Sequence, residues 1–281
     1  MKKISLAVLG FLALSLLDAA AAERKWDQSR AKKMVAKVLE VEKRKNRPWN
    51  RIPWRTNVSN AVQESEKTGK PIFVFFFVEQ NGPPLEGCGL EGRLLRAHSL
   101  ADSTVLSLIK SKCIPVKLKL DKKKPFPVDW PALGKWAAAF KFSNGRGFAG
   151  CSVVSFDLQI EYGNSGSARL FEVLDSPAFD PKRFAAMMER SASRLTEERS
   201  LRVQRGVTEY ERKVELYRFR KGVTRAVQSE SRSQLPPKGY SLEQALELYQ
   251  ADPRYAARVK PLEERLALFR KKSVWVETEW E

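Results

Sequence analysis

The chain has 281 residues, with 51 Lys and Arg against 33 Asp and Glu, a formal net charge of +18 at pH 7 and one histidine. Its length allows one large domain or a medium one with extensions, and its 43% hydrophobic share marks a folded chain. The single histidine leaves no Cys/His spacing of the zinc-site kind and no Ser/His/Asp hydrolase to argue for, and no phosphate-binding glycine loop is present.

Met1-Lys2-Lys3, an apolar run from Ile4 to Leu17 and Asp18-Ala19-Ala20-Ala21-Ala22 follow the plan of a secretory signal peptide over residues 1–22. This predicts cleavage after Ala22, an exported protein in a periplasmic or secreted location, and a charge of +17 once Lys2, Lys3 and Asp18 are removed. The competing reading of the segment is an uncleaved anchor. No later stretch is apolar for long enough to span a bilayer, so no transmembrane span is expected after cleavage.

Residues 23–53 read as a basic N-terminal helix and linker. Met34, Val35, Val38, Leu39 and Val41 give residues 26–46 a narrow apolar face among Lys and Arg, as in a flanking element. Pro48 and Pro53 break the helix, and Trp49 and Trp54 can pin the connection to a neighbouring surface.

From Trp54 helices and strands alternate. Val58, Ala61, Val62 and Ser65 share one face of a short helix ending at Gly69, and the continuous apolar run Pro71 to Val78 suits a central strand buried on both faces. A loop bearing Cys88 leads to a helical turn or two over Leu90 to Leu95, and Asp102 N-caps the next helix. Residues 113–120 alternate, with Ile114, Val116, Leu118 and Leu120 on one face and an internal proline that argues for an edge strand. A helix holds Trp130, Leu133, Trp136, Ala137 and Phe140; strands follow at 149–157 and in "LQIEYGNSG", and Asp180-Pro181 opens a further helix. The order predicts an α/β fold on a small mixed sheet over residues 54–192.

Residues 193–281 form a charged helical extension. Val203, Val207, Tyr210, Val214 and Tyr217 recur at steps of four and three, a seam expected to dock on the α/β domain, with a partner as the alternative. Residues 229–239 read as a linker, Ser241 to Gln244 as a capping box, and Asp252-Pro253 as the start of a last helix that Pro261 should interrupt.

Three cysteines, Cys88, Cys113 and Cys151, leave one thiol over in an oxidising compartment. The strand position of Cys113 suits a buried, inert thiol, and His98 reads as a surface histidine.

"NAVQESEKTGKPIFVFFF", the cysteine-bearing loop, a helix and "SKCIPVKLKLD" together resemble the secreted thioredoxin-like proteins, over roughly residues 54–192. The resemblance implies a thioredoxin-like sheet with an attacking cysteine at the N-terminus of the helix after the first strand, where dipole and amides lower its pKa. The matching quartet is Cys88-Gly89-Leu90-Glu91. Cys88 takes the attacking position and Glu91 stands where the resolving cysteine belongs, so a conventional Cys-x-x-Cys reaction is excluded. Where such proteins place a cis-proline against the attacking cysteine, this chain has Gly150-Cys151. The resemblance therefore brings Cys88 and Cys151 near one another as a possible disulfide or redox couple.

Two functions compete. One is a non-catalytic scaffold or binding module with a degenerate active site, its partner an envelope or secreted protein or an anionic surface. The other is a thiol-disulfide oxidoreductase or monothiol redox protein using Cys88 with Cys151. Neither needs a cofactor. Nucleic acid is a poor candidate partner, because the charge sits on long polar helices, and two thiols without His or Met are a weak metal signature.

Overall fold

The structure is a computed structural model that describes residues 28–80, 87–88, 90–121, 123–143, 149–167, 177–232 and 240–278. Residues 1–22, read above as a signal peptide, Gly89, and residues 233–239 of the expected linker lie outside these.

The central strand β1 (Ile72–Gln80) forms because every residue from Ile72 to Val78 finds a buried place, none more than 6% exposed. Its outer neighbour β3 (Ile114–Leu120) runs parallel to it, and β4 (Ala149–Val154) runs antiparallel on the other side. A hairpin joins β4 to β5 (Glu161–Ser167), giving the main sheet the order β3-β1-β4-β5; the two-residue β2 (Gly87–Cys88) pairs with the end of β1. As Pro115 predicts, β3 is an edge strand, covered beyond β1 only by a parallel bridge from Arg55 to Val116 among the described residues.

Strand alternation sorts the side chains into two cores. Ile72, Val74 and Phe76 join Ile114, Val116, Leu118 and Leu120 on one face, under α2 (Val58–Thr68) and α5 (Gly134–Ser143). Ala61 of α2 and Trp136 and Phe140 of α5 complete it, with Phe76 and Trp136 rings 4.6 Å apart. Helix α2 starts at Asn57, whose side chain accepts from Asn60 N, and stops at Gly69, whose φ of +64° is the left-handed cap that glycine favours.

Phe73, Phe75, Phe77, Cys151, Val153 and Tyr162 line the opposite face. Over them lie α3 (Leu90–Ala97), α4 (Ser103–Lys112) and α6 (Pro181–Arg202). Asp102 and Asp180 cap α4 and α6 as expected. Trp54 stacks on Phe73 at 6.1 Å, lies tilted against Phe75 at 5.9 Å and donates from Nε1 to Trp49 O at 3.1 Å, so the tryptophans do pin the linker.

Helix α1 (Gln28–Lys43) is more than a flanking element. Ala31, Met34, Val35, Val38 and Val41 are buried in the same core as Phe73 and Phe75. The C-terminal helices α7 (Glu209–Arg232), α8 (Tyr240–Ala251) and α9 (Ala256–Thr278) reach it too, through Val223 and Val227, Leu248 and Tyr249, and Leu262. The boundary drawn at residue 192 falls inside α6, and the described extension is docked on the sheet domain.

Four local expectations differ from the structure. The seam starting at Val203 breaks at Gly206, whose φ is +78°, and Val203, Tyr210 and Tyr217 are 75%, 76% and 63% exposed; α7 docks through Val223 and Val227 instead. Residues 229–232 extend α7 rather than opening a linker. Helix α9 runs through Pro261, one lost hydrogen bond being offset where Leu262 is buried with Leu248 and Tyr249. His98 is 9% exposed, its Nε2 3.3 Å from Met34 O, and burial, with Lys37 nearby, lowers its pKa to about 4.

Candidate functional site

β1 carries the chain to the thiol region and β2 returns it to α3. Cys88 lies in β2, two residues ahead of Leu90, the first residue of α3. Leu90 is buried in the core, which fixes the start of that helix. The side chains of Cys88 and Glu91, and Gly89 as a whole, lie outside the described parts.

The register of β1 measures where the cysteines stand. Glu79 pairs with Cys88, and Phe75 pairs with Cys151. Four residues of strand separate the two levels, about 13 Å. A disulfide tolerates Cα separations of only about 4.4 to 6.8 Å. The structure thus does not bring the expected pair together, and Cys151 is a free thiol. The physical reason is that β4 pairs along the body of β1, which sinks Cys151 among Phe75, Val153 and Tyr162, while β2 meets only the strand's last two residues.

Both thiols whose side chains are described are sealed. Cys151 has no exposed surface, and burial pushes its pKa well above that of an ordinary thiol. Cys113 is a free, buried thiol, as expected, and burial outweighs the charge of Lys70 to push it up to about 12. Neither offers a thiolate near neutral pH.

Gly150 faces the other side of the sheet. A Cβ there would lie 2.7 Å from the Trp136 ring, so glycine is what lets the indole close over β4. The same indole donates to Glu161 Oε1 at 2.8 Å, and Ser152 Oγ donates there at 2.6 Å. Asn164 Nδ2 at 3.0 Å and Lys135 Nζ at 2.5 Å complete the contacts to Oε2 of this 7%-exposed carboxylate.

A second buried carboxylate, Glu198, receives Tyr162 Oη at 2.7 Å, Arg202 Nη2 at 2.7 Å and Arg220 Nη2 at 2.6 Å. Both arginines also bind Asp157, tying the hairpin to α6 and α7. Burial pushes the Asp157 carboxyl up, but hydrogen bonds from Arg220 and Ser155 and the two guanidinium charges outweigh it and hold it low. A third group joins α1, α3 and the turn before α9: Arg93 binds Glu42 through Nε at 2.7 Å and through Nη2, while Arg254 reaches Glu42 at 3.5 Å and Asp252 at 2.6 Å. These clusters are ion networks, and among the described residues no group of three or more His, Cys, Asp and Glu is placed to hold a metal ion.

Sequence reasoning missed these acids, though one carried a signal. Phe184, Met188, Ser191, Leu195 and Glu198 step by four and three along α6, which puts Glu198 on the buried face.

The outside of the molecule is basic. Lys32, Lys33, Lys37, Lys43, Arg44, Lys45, Arg47 and Arg51 are exposed along α1 and the segment after it. On α7, Tyr210 and Tyr217 stand clear of the fold, with Lys221 Nζ 5.7 Å from the Tyr217 ring centre. Among the described residues no helix is long and apolar enough to cross a membrane.

Comparison of the chain with protein-family models, with curated proteins and with solved structures found no match.

Proposed function

We propose that this is an exported thioredoxin-like module without redox chemistry, in which the sheet is a scaffold and the basic, partly aromatic exterior binds a partner in the cell envelope or secreted space. A β-α-β unit followed by a β-hairpin and a helix, on one mixed sheet with helices on both faces, supports the thioredoxin-like reading. The observation that carries the non-catalytic reading is the separation of the thiols: Cys151 is free and sealed in the core, four strand residues from the level of Cys88. A two-thiol redox protein needs an accessible thiolate and a partner sulfur within reach.

The test is an intact-mass thiol count on the mature protein, labelled before and after reduction, with peptide mapping. Cys113 and Cys151 are expected to stay unlabelled until the protein unfolds, with no turnover of a dithiol or disulfide substrate. A Cys88–Cys151 bond that mild dithiols open would establish the oxidoreductase instead. Turnover lost on Cys88→Ser alone would establish a monothiol.

A further inference from the structure

We propose that the outer face of α1, continued to Arg51, docks on an anionic phospholipid bilayer. The inference names a partner class for the binding module above and rests on that reading. Eight cations, Lys32, Lys33, Lys37, Lys43, Arg44, Lys45, Arg47 and Arg51, are exposed within twenty residues. The exposed acid among them, Glu40, is paired with Arg44. Glu42 is turned to Arg93 and Arg254.

A charge run is commonly just a solvated face, so the mounting of this one matters. Ala31, Met34, Val35, Val38 and Val41 anchor the helix in the core, and the Glu42–Arg93 pair ties its last turn to α3. The backbone that carries the α1 cations is therefore fixed to the fold. With its apolar side buried in protein, α1 cannot insert into lipid, and its contact with a bilayer is electrostatic and superficial.

Composition separates the anionic partners. Five of the eight cations are lysines, which are depleted at protein–protein interfaces, while clusters of Lys and Arg attract anionic headgroups. The α1 sequence contains no aromatic residue on which a nucleic-acid base could stack.

The experiment is co-sedimentation of the chain from Glu23 onward with vesicles of phosphatidylcholine containing about 30% phosphatidylglycerol, against phosphatidylcholine alone. Expected is binding to the anionic vesicles only, lost as salt rises from about 0.05 to about 0.5 M. The triple variant Lys32→Gln, Lys33→Gln, Lys37→Gln should partition about 100-fold more weakly with unchanged Tm. A second set, Lys43→Gln, Lys45→Gln, Arg47→Gln, should behave alike and keeps the test decisive if the first misfolds. No binding, equal binding to both vesicles, or binding lost on Lys213→Gln, Lys221→Gln of α7 but kept in both α1 sets would overturn the proposal. So would displacement by double-stranded DNA or polyaspartate at equal charge, which would assign the face to another polyanion. Dithiol turnover on the same preparation tests the proposed function separately, so either can fail alone.

Discussion

The Tyr162 hydroxyl donates to Glu198 Oε2 at 2.7 Å across thirty-six residues of sequence, and neither side chain is more than 1% exposed. The contact joins β5 to α6, and through Arg220 on the same carboxylate it draws in α7. Burial first, and then the adjacent Glu198 charge and hydrogen bond, push the phenol's pKa well above its ordinary value and favour its protonated, donating form.

That arrangement makes the two partners unequal. Glu198→Ala leaves Arg202 and Arg220 sharing Asp157 alone and should cost about 3–5 kcal/mol, the usual penalty for breaking a buried pair from one side. Tyr162→Phe removes one donor from a carboxylate that keeps two guanidiniums, and about 1–2 kcal/mol is expected. Urea midpoints of both variants check the order. Equal losses would mean that the phenol, not the ion network, holds the hairpin.

His98 gives stability a pH slope. Its pKa falls from 6.5 in the unfolded chain to about 4 in the fold, chiefly by burial. The folded value is the lower one, so the neutral ring's contribution is complete above about pH 6.5 and is lost as pH falls through about 4, for a total on the order of 3 kcal/mol. At Glu42 and Asp157 burial pushes the carboxyls up, but the neighbouring arginines outweigh it and hold both below their ordinary values, away from the His98 window. Tm should therefore drop between pH 7 and 4.5 in the native chain, and His98→Gln should flatten most of that slope. A slope unchanged in the variant would assign it elsewhere.

Much of the fold is legible in the sequence because its periodicities are local. The two-sided burial of Ile72 to Val78, the alternation of Ile114 to Leu120, and the caps at Gly69, Asp102 and Asp180 each follow from a few neighbouring residues. What is not legible depends on distant surfaces. His98 is buried because α1 lies over it, and α1 is held there by Arg93, α8 and Arg254 from far along the chain. The 203–217 seam is clean as a pattern, yet a left-handed glycine at 206 breaks it and α7 turns another face inward. At the candidate site, proximity of Cys88 and Cys151 depended on strand register, and the spacing of cysteines carries no register.

The C-terminal helices should prove integral. Ending the chain after Arg232 removes Leu248, Tyr249 and Leu262 from the core, and Arg254, paired with Asp252, from beside Glu42. Three large side chains at about 1.5–3 kcal/mol each predict a loss of several kcal/mol. A truncated chain that melts with the native Tm would show α8 and α9 to be an independent unit.

Gly150→Ala tests how closely α5 sits on the sheet. The new Cβ would lie 2.7 Å from the Trp136 ring, which is buried and tethered by its hydrogen bond to Glu161, so it cannot swing aside freely. Overpacking of this kind costs about 1–3 kcal/mol. Because the strain acts through one ring, Trp136→Phe should relieve part of it, although that change alone costs Glu161 a donor. A double-mutant cycle on denaturation free energies is expected to show the pair less destabilised than the sum of the singles, by at least about 0.5 kcal/mol. Strict additivity would mean that β4 moves rather than the indole, and that the two residues do not set each other's position.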